Sequence, residues 1–253
     1  MSLLDIKNLS VSFSPITQNH VVNNVSLSIN GGEFLALVGE SGSGKTVTAL
    51  SVMRLLQENK TTYPSGEILF EGNDLLKSSP AFLRNIRGND ISMIFQEPLI
   101  SLNPLHTIGT QLKEPILLHK SLSNKEITEH ILDLLNKVDL YDFKNRLDAF
   151  PHELSGGQRQ RIMIAMAIAN SPKLLIADEP TTALDVTVQK NILKLLKELQ
   201  NKSGMAILFI THDLTIVKKM ADRVCVMHKS KIVEDGKTSE LFENAKHPYQ
   251  ASI

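Results

Sequence analysis

The sequence predicts an α/β fold, a parallel sheet of buried strands with helices between them and a phosphate-binding loop at one strand end. Three observations carry this. Short continuous apolar runs occur at Phe34 to Val38, Leu174 to Ala177, Ala206 to Ile210 and Val224 to Met227, each bounded by Gly or polar residues. Helical patterns lie between them, and alternation of the two marks a parallel sheet. The first strand runs directly into Gly39-Glu40-Ser41-Gly42-Ser43-Gly44-Lys45-Thr46, which fits G-x-x-x-x-G-K-[ST].

Taken along the chain, Leu9 to Phe13 and Val25 to Ile29 alternate apolar and polar residues and predict half-exposed antiparallel strands. Val47 to Leu56 continues the glycine-rich loop as a helix. Ser79-Pro80 sets a cap before a proline at the first helical position. The stretch Glu97 to Glu153 carries Pro98, Pro104 and Pro115 and shows no buried strand. Within it, Ser123 to Glu126 reads as a capping box, followed by Ile127, Ile131, Leu134, Leu135 and Val138 at helical spacing. This stretch predicts a mostly helical insertion. Val188, Ile192, Leu195, Leu196 and Leu199 fall on one face of a helix over Thr187 to Gln200.

Composition narrows the function classes. With 253 residues, 42% hydrophobic and 21% charged, the chain can bury a core and is not a disordered one. Its 27 basic and 27 acidic residues cancel, which speaks against a nucleic-acid partner. Cys225 is the sole cysteine, so an internal disulfide and a thiolate zinc cage are excluded, and a reducing compartment fits. No apolar run approaches the roughly 18 residues of a membrane helix. Asp5 interrupts any signal-peptide pattern. The expectation is a soluble intracellular chain.

The chemistry sits in three places. In the glycine-rich loop, successive N–H groups turn inward around phosphate oxygens, Lys45 reaches the terminal phosphates and the Thr46 hydroxyl suits Mg²⁺. Asn201 to Gly204 departs from Asn-Lys-x-Asp in its last residue, which counts against guanine. The strand Leu174 to Ala177 ends in Asp178-Glu179. There Asp178 offers Mg²⁺ an oxygen, and Glu179 can orient or deprotonate a water. His212 follows another strand and is a candidate γ-phosphate contact. Finally, Ser155-Gly156-Gly157-Gln158 opens a helix over Arg159 to Ala169 and is a second possible anion site.

The order of these motifs (the phosphate loop, then Leu154-Ser155-Gly156-Gly157-Gln158, then Asp178-Glu179) resembles the ATP-binding cassette ATPases over essentially the whole chain. The resemblance implies a P-loop NTPase core with a parallel sheet, an N-terminal antiparallel β-subdomain and an inserted α-helical subdomain. The core would be 1–96 and 159–246, the helical subdomain 97–158. It implies ATP and Mg²⁺ as cofactors. Gly39 to Lys45 would hold phosphates, Phe13 would stack on adenine, and Thr46, Gln96 and Asp178 would surround Mg²⁺. Glu179, His212 and Lys45 would act in hydrolysis. Ser155, Gly156, Gly157 and Gln158 would close on the ATP of a second cassette, with Ala183-Leu184-Asp185 crossing that interface. Two ATP molecules would then be sandwiched in a head-to-tail pair, and hydrolysis would open it.

Finer pattern is similar to the oligopeptide, dipeptide and nickel importer branch. It comprises Gly39 to Thr48, Gln96-Glu97-Pro98 with Ser101-Leu102-Asn103-Pro104, Pro151-His152-Glu153, and His247-Pro248-Tyr249. The branch implies a peripheral subunit at the cytoplasmic face of the plasma (inner) membrane, contacting a permease through Gln96 to Leu118. An extracytoplasmic solute-binding protein would act indirectly. The second cassette would be an identical copy, a paralogue or a tandem half. A soluble cassette of iron–sulfur assembly and a tandem cassette acting on ribosomes are the alternatives. Pro248 opens a helix too short to hold itself, so 247–253 reads as the start of a truncated extension.

Overall fold

The computed structural model describes residues 2–13, 20–96, 102–182 and 184–243. In chain order its first elements are β1 (Leu4–Ser12), β2 (Val22–Ile29), β3 (Phe34–Gly39), α1 (Lys45–Val52), β4 (Thr62–Phe70), β5 (Asn73–Asp74), α2 (Pro80–Ile86) and β6 (Ile91–Ile94). Then come α3 (Ile108–His119), α4 (Asn124–Lys137), two 3-10 turns (Tyr141–Asn145 and Pro151–Glu153), α5 (Gly156–Ala167) and β7 (Leu174–Asp178). The last are α6 (Val186–Ser203), β8 (Ala206–Thr211), α7 (Leu214–Met220), β9 (Arg223–His228), β10 (Lys231–Lys237) and α8 (Thr238–Glu243). The chain divides into two compact units, one built from residues up to Arg84 and from Ala206 onward, the other from Asn85–Met205.

In the first unit β3 pairs in parallel with β8 and with β9, and β10 closes on β9 in antiparallel fashion. Every residue of β3 and β8 is buried, as strands covered on both faces must be. Leu214 and Val217 of α7 pack on Ala36, Val38, Val224 and Val226, with Leu241 and Phe242 alongside. Arg223 fastens this region together. Its guanidinium meets Asp235 through Nε and Nη2 at 2.7 Å each, and Nη1 donates to the Ser28 carbonyl at 2.9 Å and to Glu33 at 3.0 Å. Hydrogen bonding to Asp235 raises the Arg223 pKa further above its already high ordinary value.

β1 lies between β2 and β4, antiparallel to both. Alternation predicts half-exposure, yet Leu9–Ser12 is buried throughout. A central strand takes neighbours on both edges, and its polar members find partners. Ser10 Oγ accepts from the Asn24 N–H at 3.1 Å and from Ser65 Oγ at 3.0 Å. The helix after the phosphate loop stops at Val52, short of Leu56. Thr48 and Ser51 hydroxyls bond back to the Gly44 and Val47 carbonyls, and Arg54 takes φ +49°, which ends helical geometry.

In the second unit β6 and β7 run parallel, in register from Ile91 opposite Leu174 to Ile94 opposite Ala177. The Ser123 box forms as the sequence predicts. Ser123 Oγ accepts from Glu126 N at 3.4 Å, and Glu126 Oε2 accepts from Ser123 N at 2.8 Å. The Ser123 hydroxyl also donates to Glu126 Oε2 at 2.7 Å, and that bond, with the one from the Ser123 N–H, lowers the Glu126 pKa. Ile127, Ile131, Leu134 and Leu135 form the buried face of α4. α3 starts on a Thr107 cap and contains Pro115, whose carbonyl accepts from Asn170 Nδ2 at 2.7 Å.

Candidate functional site

The phosphate loop is shaped by what surrounds it. A Cβ at Gly39 would collide with the Met227 carbonyl, and one at Gly44 would stand 2.5 Å from the Val21 carbonyl oxygen. Gly44 also has φ +105°, so both space and backbone demand glycine there. Lys45 opens α1 and is buried. Its ammonium donates to the Gly39 and Glu40 carbonyls at 2.8 Å each, while Ser43 Oγ lies at 3.5 Å. The long stem therefore folds over the loop and holds a positive charge at its centre. Glu40, Ser41, Gly42 and Thr46 are exposed around it.

Two more expected residues share this unit. Val38 and Thr211 are register partners in the β3–β8 pair, so the phosphate loop and His212 leave adjacent parallel strands at their carboxyl ends. Ligands of open α/β sheets collect at such strand ends. His212 is exposed. Phe13 follows β1 and is 45% exposed, so its ring is open to a partner.

In the second unit, strand register does the positioning. Ile94 lies opposite Ala177, and two residues further on Gln96 Nε2 donates to Glu179 Oε2 at 3.1 Å. Thr182 Oγ1 donates to the same oxygen at 3.0 Å. Glu179 has φ +44°, so a left-handed residue immediately follows buried Asp178 and turns the chain. Thr182 was not legible as a site residue, because its role depends on that turn.

Ser155 caps α5 in a reciprocal box. Its Oγ accepts from Gln158 N at 3.3 Å, and Gln158 Oε1 accepts from Ser155 N at 3.0 Å. The helix thus begins at Gly156, ahead of Arg159, and the two glycines form its first turn. A Cβ on Gly157 would stand 2.8 Å from Val188 Cγ1, and one on Gly156 would stand 3.5 Å from Leu184. Asp185 caps α6, accepting from Thr187 N at 3.1 Å and Val188 N at 2.9 Å. The starts of α5 and α6 are therefore neighbours. Ala183, Glu97 to Ser101 and 247–253 lie outside the described residues.

The donors named for a metal are hard oxygens: the Thr46 hydroxyl, the Gln96 amide and the Asp178 carboxylate. They fit Mg²⁺, which is commonly held by one or two carboxylates together with substrate phosphates. Among the described residues no group of three or more His, Cys, Asp or Glu forms a metal cage.

The second unit also carries an apolar groove of about 280 Å³, lined by Met93, Phe95, Leu102, Leu118, Met163 and Met166 among others. Phe95 and Leu118 remain exposed beside it.

Residues 22–182 match the family model described as ABC transporter. The chain is 56% identical over 248 residues to "Peptidoglycan transport ATP-binding protein YejF" of Agrobacterium fabrum, covering 98% of this chain and 45% of that protein. It is 54% identical over its whole length to "Uncharacterized ABC transporter ATP-binding protein YejF" of Escherichia coli, covering 48% of it. It thus spans about half the length of these relatives. It is also 47% identical to "Oligopeptide transport ATP-binding protein OppD" of Bacillus subtilis, covering 98% of this chain and 69% of that one. Among solved structures, one described as a dimeric post-hydrolysis state of the ATP-binding cassette MJ0796 bound to ADP and Pi aligns with TM-score 0.80 and 28% identity, over 93% of this chain and 98% of that one. With the phosphate loop on its strand, Gln96 bonded to Glu179 and a serine-capped signature helix in one sequence order, the chain belongs to the ABC transporter family.

Proposed function

We propose that this chain is an ATP-hydrolysing cassette that powers import of peptides or related small solutes through a membrane permease. The observation that carries hydrolysis is the Gln96–Glu179 bond at the aligned ends of β6 and β7, beside buried Asp178. Lys45 and the loop N–H groups hold the phosphates and stabilise charge on the transferred group. Thr46, Gln96 and Asp178 hold Mg²⁺, which supplies charge neutralisation when bound. Glu179 positions or deprotonates the attacking water, and His212 contacts the γ-phosphate. Phe13 stacks on adenine. Ser155, Gly156, Gly157 and Gln158, with Asp185, act on ATP held by a second cassette, so the working form is a head-to-tail pair.

The peptide branch is supported by relatives named for peptide transport at about half identity over nearly the whole chain. A permease segment would dock on Gln96 to Leu118, most of which lies in the helical subdomain 97–158, and Leu102 and Leu118 of that region line the groove beside Phe95. Among the described residues no helix is long and apolar enough to cross a membrane. Such a subunit would work at the cytoplasmic membrane face through its permease partner. An extracytoplasmic solute-binding protein would act upstream of the permease.

Glu179→Gln tests the catalytic assignment. It should keep ATP binding, lose turnover and shift the chain to a dimer in ATP by size-exclusion chromatography. A variant hydrolysing at the wild-type rate would sink the assignment. Ser155→Arg should spare ATP binding by the monomer and block hydrolysis, whereas loss of binding would argue against action in trans.

A further inference from the structure

The end of the β1–β2 hairpin lies against the phosphate loop. The Val21 carbonyl and Val22 Cγ2 are the groups that a Cβ on Gly44 would meet, at 2.5 and 3.5 Å. One residue before Val21 stands His20, half-buried, with Nδ1 at 2.7 Å from Ser12 Oγ. Ser12 is only 2% exposed, so this bond anchors Nδ1 to a buried side chain. Phe13 follows Ser12 and is the exposed aromatic already described. His20 is therefore bonded to the residue that precedes the exposed aromatic, at the strand ends next to the loop.

The nucleotide's chemistry supplies the occupant. With Nδ1 engaged by Ser12, the ring has one further hydrogen-bonding atom, Nε2, and His20 has no other hydrogen-bond partner among the described residues. Either tautomer serves a ribose, because a hydroxyl both donates and accepts. A base cannot use Nε2 in the same tautomer-independent way, and phosphates already have Lys45 and the loop amides.

We infer that His20, oriented by Ser12, is a ribose-binding residue, which makes the site discriminate ribonucleotides from their deoxy forms. Ser12 is a positioning residue acting through the ring. This inference rests on the nucleotide reading above.

The test measures binding to the whole chain of four probes: ATP, 2′-deoxy-ATP, 3′-deoxy-ATP and inorganic tripolyphosphate. In the wild type one of the deoxy nucleotides should bind about five- to tenfold more weakly than ATP, the worth of one ordinary hydrogen bond. His20→Ala should weaken ATP by the same factor, leave tripolyphosphate unchanged, and erase the difference between ATP and that deoxy form. Ser12→Ala should show the same selectivity with a smaller loss. Equal affinity of the wild type for ATP and both deoxy forms would overturn the inference, even if His20→Ala failed to fold. So would equal losses for ATP and tripolyphosphate in His20→Ala, which would mark a structural role. A wild-type chain binding neither ATP nor tripolyphosphate would overturn the nucleotide reading itself.

Discussion

Gly157 shows how a site residue can be demanded by packing. It is not in a glycine-only backbone region, yet Val188 Cγ1 occupies the space its side chain would need. Gly157→Ala should lower stability by about 1–3 kcal/mol through overpacking, and adding Val188→Ala should recover most of it. Chemical denaturation of the two single variants and the double variant measures this coupling. Cys225 is the opposite case, a residue silenced by its surroundings. Burial, with the Asp235 charge adding to it, pushes its thiol pKa well up, so the nucleophilic thiolate is suppressed. Iodoacetamide should label it only after unfolding, and rapid labelling of the folded chain would contradict that. The chemistry of Lys45, Asp178 and Glu179 was legible in the sequence because each sits within a short local pattern. Met227 and Val21, which press on the loop glycines, were not. Their effect arises from strand pairing between distant residues.

Elements differ in how openly the sequence declares them. α4 follows from an amphipathic face and a capping box and α6 from its amphipathic face alone, and each begins within one residue of the expected start. The buried strands β3, β7, β8 and β9 follow from apolar runs within one residue at either end. β4 is harder, because Pro64 and Gly66 punctuate it like a loop. It survives because its pairing with β1 slips around those residues. β6 has only four residues, too few to show a period, although it delivers Gln96. α3 was hidden by Pro115, tolerated near the end of a helix whose start is capped by Thr107. Among these elements α4 offers the clearest test. Ser123→Ala removes the acceptor of one exposed N–H and should cost about 1 kcal/mol. Thermal unfolding would show the shift, while ATP affinity should stay at the wild-type level.

At the scale of the molecule, each compact unit adds its own fastening to a buried apolar core. In the first it is Arg223, whose three nitrogens reach β2, β10 and the turn before β3 at once. Arg223→Leu should destabilise by about 3 kcal/mol, since Asp235 and Glu33 would keep their charges without the partner. A fall in the urea midpoint with an unchanged slope would register it. A shift below about 0.5 kcal/mol would show that the cluster is mostly solvated. In the second unit it is the meeting of two helices at their first turns. Ser155 and Asp185 each lock the start of a helix, and Gly157 lets those two starts touch without clearance. Sterically the pair is a close fit, because any side chain at 157 would have to displace Val188. The identity of residue 157 is therefore dictated from outside its own helix, by a valine in the first turn of the next one.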